Sequence, residues 1–418
     1  MIKKILQDNF FRNNIVFFVG SMIVAVLNYL YHPILGRMMA VDDFGEVQTL
    51  ISLFTQLAIV AGIFSVTIVN IASNMKDETE RSEIISELRN ISIYITGGLF
   101  FLIVIFSREL ESFLNFKSFY PFISLGVLLL LSTLIVFRQA YLQGNKRFKT
   151  VSLAQIIASG GKLFFGILFV YLGWKSFGAI TALIIAQVFT LWFAFVKTKK
   201  DLKLKLGVKI NLNEQVKKEL KFGLLVFFAT SCITFFYTAD VVIIKHYFSP
   251  DKAGLYSGIA TVARIIFFIA GPTAAVLLPS IKLKNGYKNN EKMLKKALLF
   301  VSAAGLGVLL IFSLFYDMVI QLLIGSKYLE LAPILPKLSI LLFAVSVTNV
   351  IFYYFLALRR YFLIPISIIS VFFTIILTYF RHGDFMTIIN NFLFGIVIIY
   401  VLIIIFYAKT NLSHRSNS

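Results

Sequence analysis

Apolar runs of roughly twenty residues recur about twelve times along this 418-residue chain, separated by short polar connections. That alternation leaves one way to fold. A helix needs about 20 apolar residues to cross hydrocarbon. Inside hydrocarbon every backbone N–H and C=O must be satisfied within the protein. Membrane β-strands are short and alternate in polarity, whereas these runs are long and uniformly apolar. The expected fold class is therefore all-α, a polytopic membrane protein. The spans fall at about 15–35, 47–72, 91–107, 119–142, 150–172, 177–196, 222–244, 254–280, 297–317, 333–357, 361–380 and 386–408. The first run is too long for a signal peptide and lacks a small-residue cleavage site, so it reads as a transmembrane helix. Only 14% of residues are charged, against about 25% in soluble domains.

The net charge of +20 is unevenly placed. With the N-terminus inside, 28 of the 40 Lys and Arg fall on cytoplasmic segments, 8 on the opposite side and 4 within spans. This asymmetry follows the positive-inside rule and puts both termini in the cytoplasm. No basic region is large enough for a nucleic-acid-binding domain. The single cysteine, Cys232, excludes an internal disulfide, and no His/Glu metal spacing, nucleophile elbow or phosphate-binding Gly loop appears. The expectation is a non-enzyme with no metal and no cofactor.

The longest connection, the basic stretch 197–221, joins two halves. The expected organisation is a six-helix bundle at 1–200, a linker at 201–221, a second six-helix bundle at 222–408 and a tail at 409–418. The halves echo each other. Gly45 aligns with Gly254 and Asp42 with Asp251, each Asp suiting a helix N-cap. Tyr141…Lys146-Arg147-Phe148 aligns with Tyr354…Arg359-Arg360-Tyr361. Six spans per half give both halves the same orientation, a parallel internal repeat.

The same stretches carry a family resemblance. Pro33-x-x-x-Arg37 followed by Asp42-Asp43-Phe44-Gly45 resembles the first external turn of polysaccharide flippases. Leu142-Gln143-Gly144-Asn145-Lys146-Arg147-Phe148 resembles the segment that ends their fourth helix. Asp240, then Asp251-x-x-Gly254-x-Tyr256 and later Pro272 and Pro279, resembles the start of their second half. Together these stretches resemble the O-antigen-type flippases of the multidrug/oligosaccharidyl-lipid/polysaccharide exporter superfamily. The resemblance implies a central cavity with alternating access, in a bacterial or archaeal cell membrane. It implies an undecaprenyl-pyrophosphate-linked oligosaccharide as cargo, membrane lipids as surroundings, and a polysaccharide polymerase and chain-length regulator as partners. An ion-coupled multidrug exporter and a lipid II-type flippase of the same superfamily are the alternatives.

A charge in hydrocarbon faces a cavity or a partner. Lys162, preceded by Ser159-Gly160-Gly161, lies near the middle of span five, and Arg264 lies about ten residues into span eight. Either cation suits a pyrophosphate, the guanidinium by a bidentate fork. Arg138, nearer a span end, and the polar Asn28 and Asn70 are further substrate-binding candidates. Asp240 is the clearest carboxylate at membrane depth, able to neutralise Arg264 or to carry H⁺ or Na⁺ as a coupling ion, and His32 is a candidate proton relay. A drug-cation exporter would favour carboxylates over these cations. A polymerase or ligase would need a large external loop, and the longest external connection has about 16 residues.

Overall fold

The computed structural model describes residues 9–75, 77–202, 214–268, 273, 277, 281 and 287–415. Apart from one 3₁₀ segment, its regular elements are α-helices. They are α1 (Asn9–Met38), α2 (Val41–Asn74), α3 (Glu78–Ile105), α4 (Ser107–Phe113), α5 (Tyr120–Gly144), α6 (Phe148–Tyr171) and α7 (Lys175–Thr198). Then follow α8 (Glu214–Tyr247), α9 (Pro250–Ala263), α10 (Tyr287–Leu314), α11 (Tyr316–Leu323), the 3₁₀ segment Ser326–Ile334, α12 (Leu335–Ala357), α13 (Leu363–Phe380) and α14 (Phe385–Arg415). Among the described residues, eleven helices are long and apolar enough to cross a membrane. The protein is a polytopic all-α membrane protein. The expected eighth span is described as helix through Phe268, and most of its remainder, Pro272 and Pro279 included, lies outside the described residues. So does the linker stretch 203–213.

Several helices start well before the apolar run that announced them. α3 begins at Glu78 rather than near 91, because its first three turns are polar yet helical. Asp77 caps this helix, its Oδ1 accepting from the N–H groups of Thr79 and Glu80. Arg81, Glu87 and Arg89 on these turns are buried against neighbouring helices. The expected Asp caps are corrected. α2 is preceded by Ala40 and α9 by Ser249, neither with a side-chain cap. Asp42 and Asp251 instead stand in the first turn, where a carboxylate complements the helix dipole.

Two compact units divide at Phe227/Phe228, within α8. In the first, α2, α3 and α7 pack on α5, α1 packs on α6, and α6 packs on α7. In the second, α9, α10 and α14 pack on α12, and α13 packs on α14. Four pairings therefore recur in the same chain order. The local turns recur as well. After α5 the N–H of Arg147 donates to Leu142 O at 2.9 Å and Lys146 takes φ 57°. After α12 the N–H of Arg360 donates to Phe355 O at 2.9 Å and Arg359 takes φ 54°. Both are left-handed helix terminations.

Membrane helices gain little from burying apolar surface against each other, so close packing at small residues matters. A cluster centred on Phe64, Ile68, Ile85, Leu88, Phe137 and Tyr141 joins α2, α3 and α5. Gly144 sets how near α5 comes to α2. A Cβ there would stand 2.5 Å from Ala72 Cβ and 2.8 Å from Val69 O. Gly258 on α9 likewise accepts the ring of Tyr328, which is fully buried.

Gly144→Ala is expected to lower stability by about 1–3 kcal/mol through overpacking, read as a lower Tm in detergent. Gly97→Ala, where a Cβ meets nothing within 4 Å, is expected to be neutral or to gain up to about 1 kcal/mol from helix propensity.

Candidate functional site

Within the first unit, α6 carries Lys162 to membrane depth. The residue lies 14 positions from the start of α6 and 9 from its end, about 21 and 14 Å along the axis. Its half-buried ammonium donates to Asn28 Oδ1 at 2.8 Å and sits 4.6 Å from the ring centroid of Tyr31. Both partners are neutral and both belong to α1. Among the described residues no carboxylate forms an ion pair with Lys162. The glycines before it allow the close approach of its neighbours: a Cβ on Gly161 would lie 3.3 Å from Ala186 of α7. Tyr31 is fully buried and is fixed by donating from its hydroxyl to Ala179 O at 3.1 Å. One residue on, His32 Nδ1 lies 3.1 Å from Oε1 and 2.9 Å from Nε2 of the buried Gln48. A short polar strip thus runs from Lys162 through Asn28 and Tyr31 to His32.

The second unit treats its deep charges differently. Asp240 Oδ1 and Arg264 Nη2 are 3.4 Å apart, with both side chains buried. Asp240 Oδ2 accepts from the Tyr256 hydroxyl at 2.9 Å. Arg264 Nε donates to Tyr237 O at 2.9 Å, and the Tyr237 ring stacks on Phe267 at 4.2 Å. α8 supplies Asp240 and Tyr237, and the α9 segment supplies Tyr256 and Arg264. The carboxylate and guanidinium neutralise each other, and each takes one further hydrogen bond, from Tyr256 and to Tyr237, which a buried pair needs.

The remaining candidates occupy other places. Arg138 Nη1 donates to Thr198 Oγ1 at 2.5 Å, and the guanidinium lies 4.6 Å from the Phe195 ring centroid. Asn70, near the end of α2, accepts from Asn74 Nδ2 through Oδ1. Neither is brought against Lys162. Arg147 forms an ion pair with Asp201 at 2.6 Å and so ties the α5–α6 turn to the segment after α7. Pro33 is buried inside α1, and Arg37 is exposed in its last turn. Gly45 and Gly254 are buried in the opening turns of α2 and α9. Asp251 is exposed.

The sequence reading passed over a cluster at the start of α2. Lys117 Nζ lies 2.6 Å from both Asp42 Oδ2 and Asp43 Oδ1. The buried Glu46 accepts from Lys117 N at 2.8 Å and from Ser176 Oγ at 2.9 Å. Burial opposes the charge on Lys117, but hydrogen bonds to Asp42 and Asp43 outweigh it and hold the ammonium above the usual lysine range. Residues 71–75 positions apart in sequence meet here, with no spacing that announces it. Tyr31 was missed for a different reason: one tyrosine among 18 carries no signal until its ring is placed.

The family model described as polysaccharide biosynthesis protein matches residues 10–282, more than half of the chain. No curated protein matches by sequence. Among solved structures, an inward-facing multidrug resistance transporter of the MATE family of the MOP superfamily has 16% identity and a TM-score of 0.69, with 97% of this chain and 99% of that one covered. The lipid II flippase MurJ, in an inward closed conformation, has 18% identity and a TM-score of 0.67, covering 93% of this chain and 87% of its own. A MOP superfamily transporter from Pyrococcus furiosus, described by the reverse polarity of its binding pocket, has 18% identity and a TM-score of 0.57, covering 96% and 95%. The likeness to these structures is one of fold, and the family match is what classifies the chain: it belongs to the polysaccharide biosynthesis protein family.

Proposed function

We propose that this protein is a flippase moving a polyprenyl-pyrophosphate-linked oligosaccharide from the cytoplasmic to the external leaflet, for assembly of a surface polysaccharide. The observation that carries this reading is Lys162, a cation at membrane depth held by neutral partners alone among the described residues. A cation so placed keeps its charge available to an anion. A pyrophosphate leaving water needs such a counter-charge, while sugar hydroxyls find the amide of Asn28 beside it. Family membership and a fold shared with MATE transporters and the lipid II flippase MurJ support the same reading. In it, the excess of Lys and Arg on alternate loops puts both termini in the cytoplasm, each half forms a six-helix bundle, and a polymerase takes the delivered unit.

Asp240 and Arg264 supply the coupling step. Protonation of Asp240, or Na⁺ taken up by its carboxylate, removes the counter-charge of Arg264. The guanidinium is then released for the cargo's phosphates, and loss of the ion restores the pair.

The test is headgroup translocation of a short-chain polyprenyl-pyrophosphate disaccharide in proteoliposomes. Lys162→Gln is expected to slow flipping by about 10–100-fold, the loss of one charge-assisted contact at about 1.5–3 kcal/mol, with the Tm retained. Unchanged flipping by this variant would remove Lys162 from the cargo path. Efflux of an organic cation with no flipping would favour the drug-exporter alternative. An imposed H⁺ or Na⁺ gradient is expected to accelerate wild-type flipping. In Asp240→Asn, at a stability cost of about 3–5 kcal/mol for the orphaned arginine, that acceleration is expected to disappear.

A further inference from the structure

The first unit carries a second cationic place, distinct in its helices from Lys162. Arg89 of α3 and Arg138 of α5 line one cavity of about 440 Å³, whose other wall is α7 with Val188, Trp192 and Phe195. Their like charges oppose one another, and among the described residues no carboxylate lines the cavity. Arg89 donates through Nε and Nη2 to Asn90 Oδ1. Among the described residues the hydrogen-bond partner of Arg138 is Thr198 alone, which leaves most of its five N–H donors for another acceptor. The α7 wall is open: Trp192 is 65% exposed, Val188 49% and Phe195 45%. Exposed apolar side chains of this kind suit a lipid-facing surface.

The groove is graded along its length. Arg138 stands six residues before the end of α5 and Phe195 three before the end of α7, about 9 and 5 Å along the helix axes. Arg89 closes the polar turns of α3, just before the apolar stretch that starts at Ile91. Leu134 and Val188 lie each ten residues from those same helix ends, about 15 Å from them and about 6 Å deeper than Arg138. Cations therefore stand where a lipid phosphate would sit and apolar side chains continue where its chain would run.

We infer that the α3–α5–α7 groove binds an anionic phospholipid from the surrounding bilayer, its phosphate clasped between Arg89 and Arg138 and an acyl chain laid along Leu134, Val188 and Trp192. A single phosphodiester matches the shallow depth of the two arginines. Two guanidinium forks can hold its two free oxygens.

Native mass spectrometry of the full chain in detergent tests this, with phosphatidylglycerol and phosphatidylcholine of identical chains as probes. The wild type is expected to bind the first phosphatidylglycerol at least tenfold more tightly than phosphatidylcholine. Arg89→Gln and Arg138→Gln are each expected to weaken it by about tenfold, the loss of one charge-assisted contact. Arg108→Gln, an exposed arginine in α4, beyond the far end of α3, should leave the preference intact. Val188→Trp fills the groove from its lipid-facing wall and keeps both arginines. If the arginine variants fail to fold, loss of the preference in Val188→Trp supports the site and its retention overturns it. Equal binding of the two lipids by wild type overturns the proposal. Displacement of phosphatidylglycerol by an equal concentration of short-chain polyprenyl pyrophosphate overturns it too, and would give the groove to the cargo.

Discussion

Hydrocarbon offers no water to a polar group, so every polar atom carried to membrane depth must find its partner within the protein. Much of the local detail here answers that one demand. Serine and threonine hydroxyls inside the helices turn back onto the carbonyl four residues earlier, as in Thr49 to Gly45, Thr190 to Ala186, Ser346 to Leu342 and Thr374 to Ser370. Asp240 is met by both Arg264 and Tyr256. Lys162 is met by an amide and a ring face. Helices close enough to share such contacts need small residues between them, which is the service of Gly144 and Gly161.

The same demand is answered in two ways on one architecture. Four helix pairings recur in both units, and α5 and α12 end in the same left-handed turn. Yet the first unit leaves its deep cation among neutral groups, while the second neutralises its own with a carboxylate. A symmetric scaffold thus carries asymmetric charge. In the proposed function this division has a purpose: one unit holds a standing attraction for a phosphate, and the other holds an attraction that an ion can release. Charge at the helix ends serves other ends. The Lys117 cluster ties the start of α2 to the loop before α5 and to Ser176 of α7, and the Arg147–Asp201 pair ties the α5–α6 turn to the chain after α7.

Hydropathy, loop charge and repeated motifs made the all-α membrane class, the positions of the apolar spans and the echo between halves readable along the chain, because each is a local property: a run length, a sign count, a short pattern. The helix starts at Glu78 and Tyr287 were not readable that way, since polar turns continue a helix without adding to its apolar run. The Asp240–Arg264 pair was named along the chain as one able to form, and it stands at 3.4 Å, but the partners of Lys162 and Lys117 were not readable. Lys162 and Asn28 lie 134 residues apart, and Lys117 and Asp43 lie 74 apart. Whether such groups touch depends on how two helices are rotated and how far each slides past the other. That register is settled by packing across many side chains at once, so the deep charges and the pairing of Asp240 with Arg264 belonged to the sequence, and the neutral partners of Lys162 to the folded arrangement of helices.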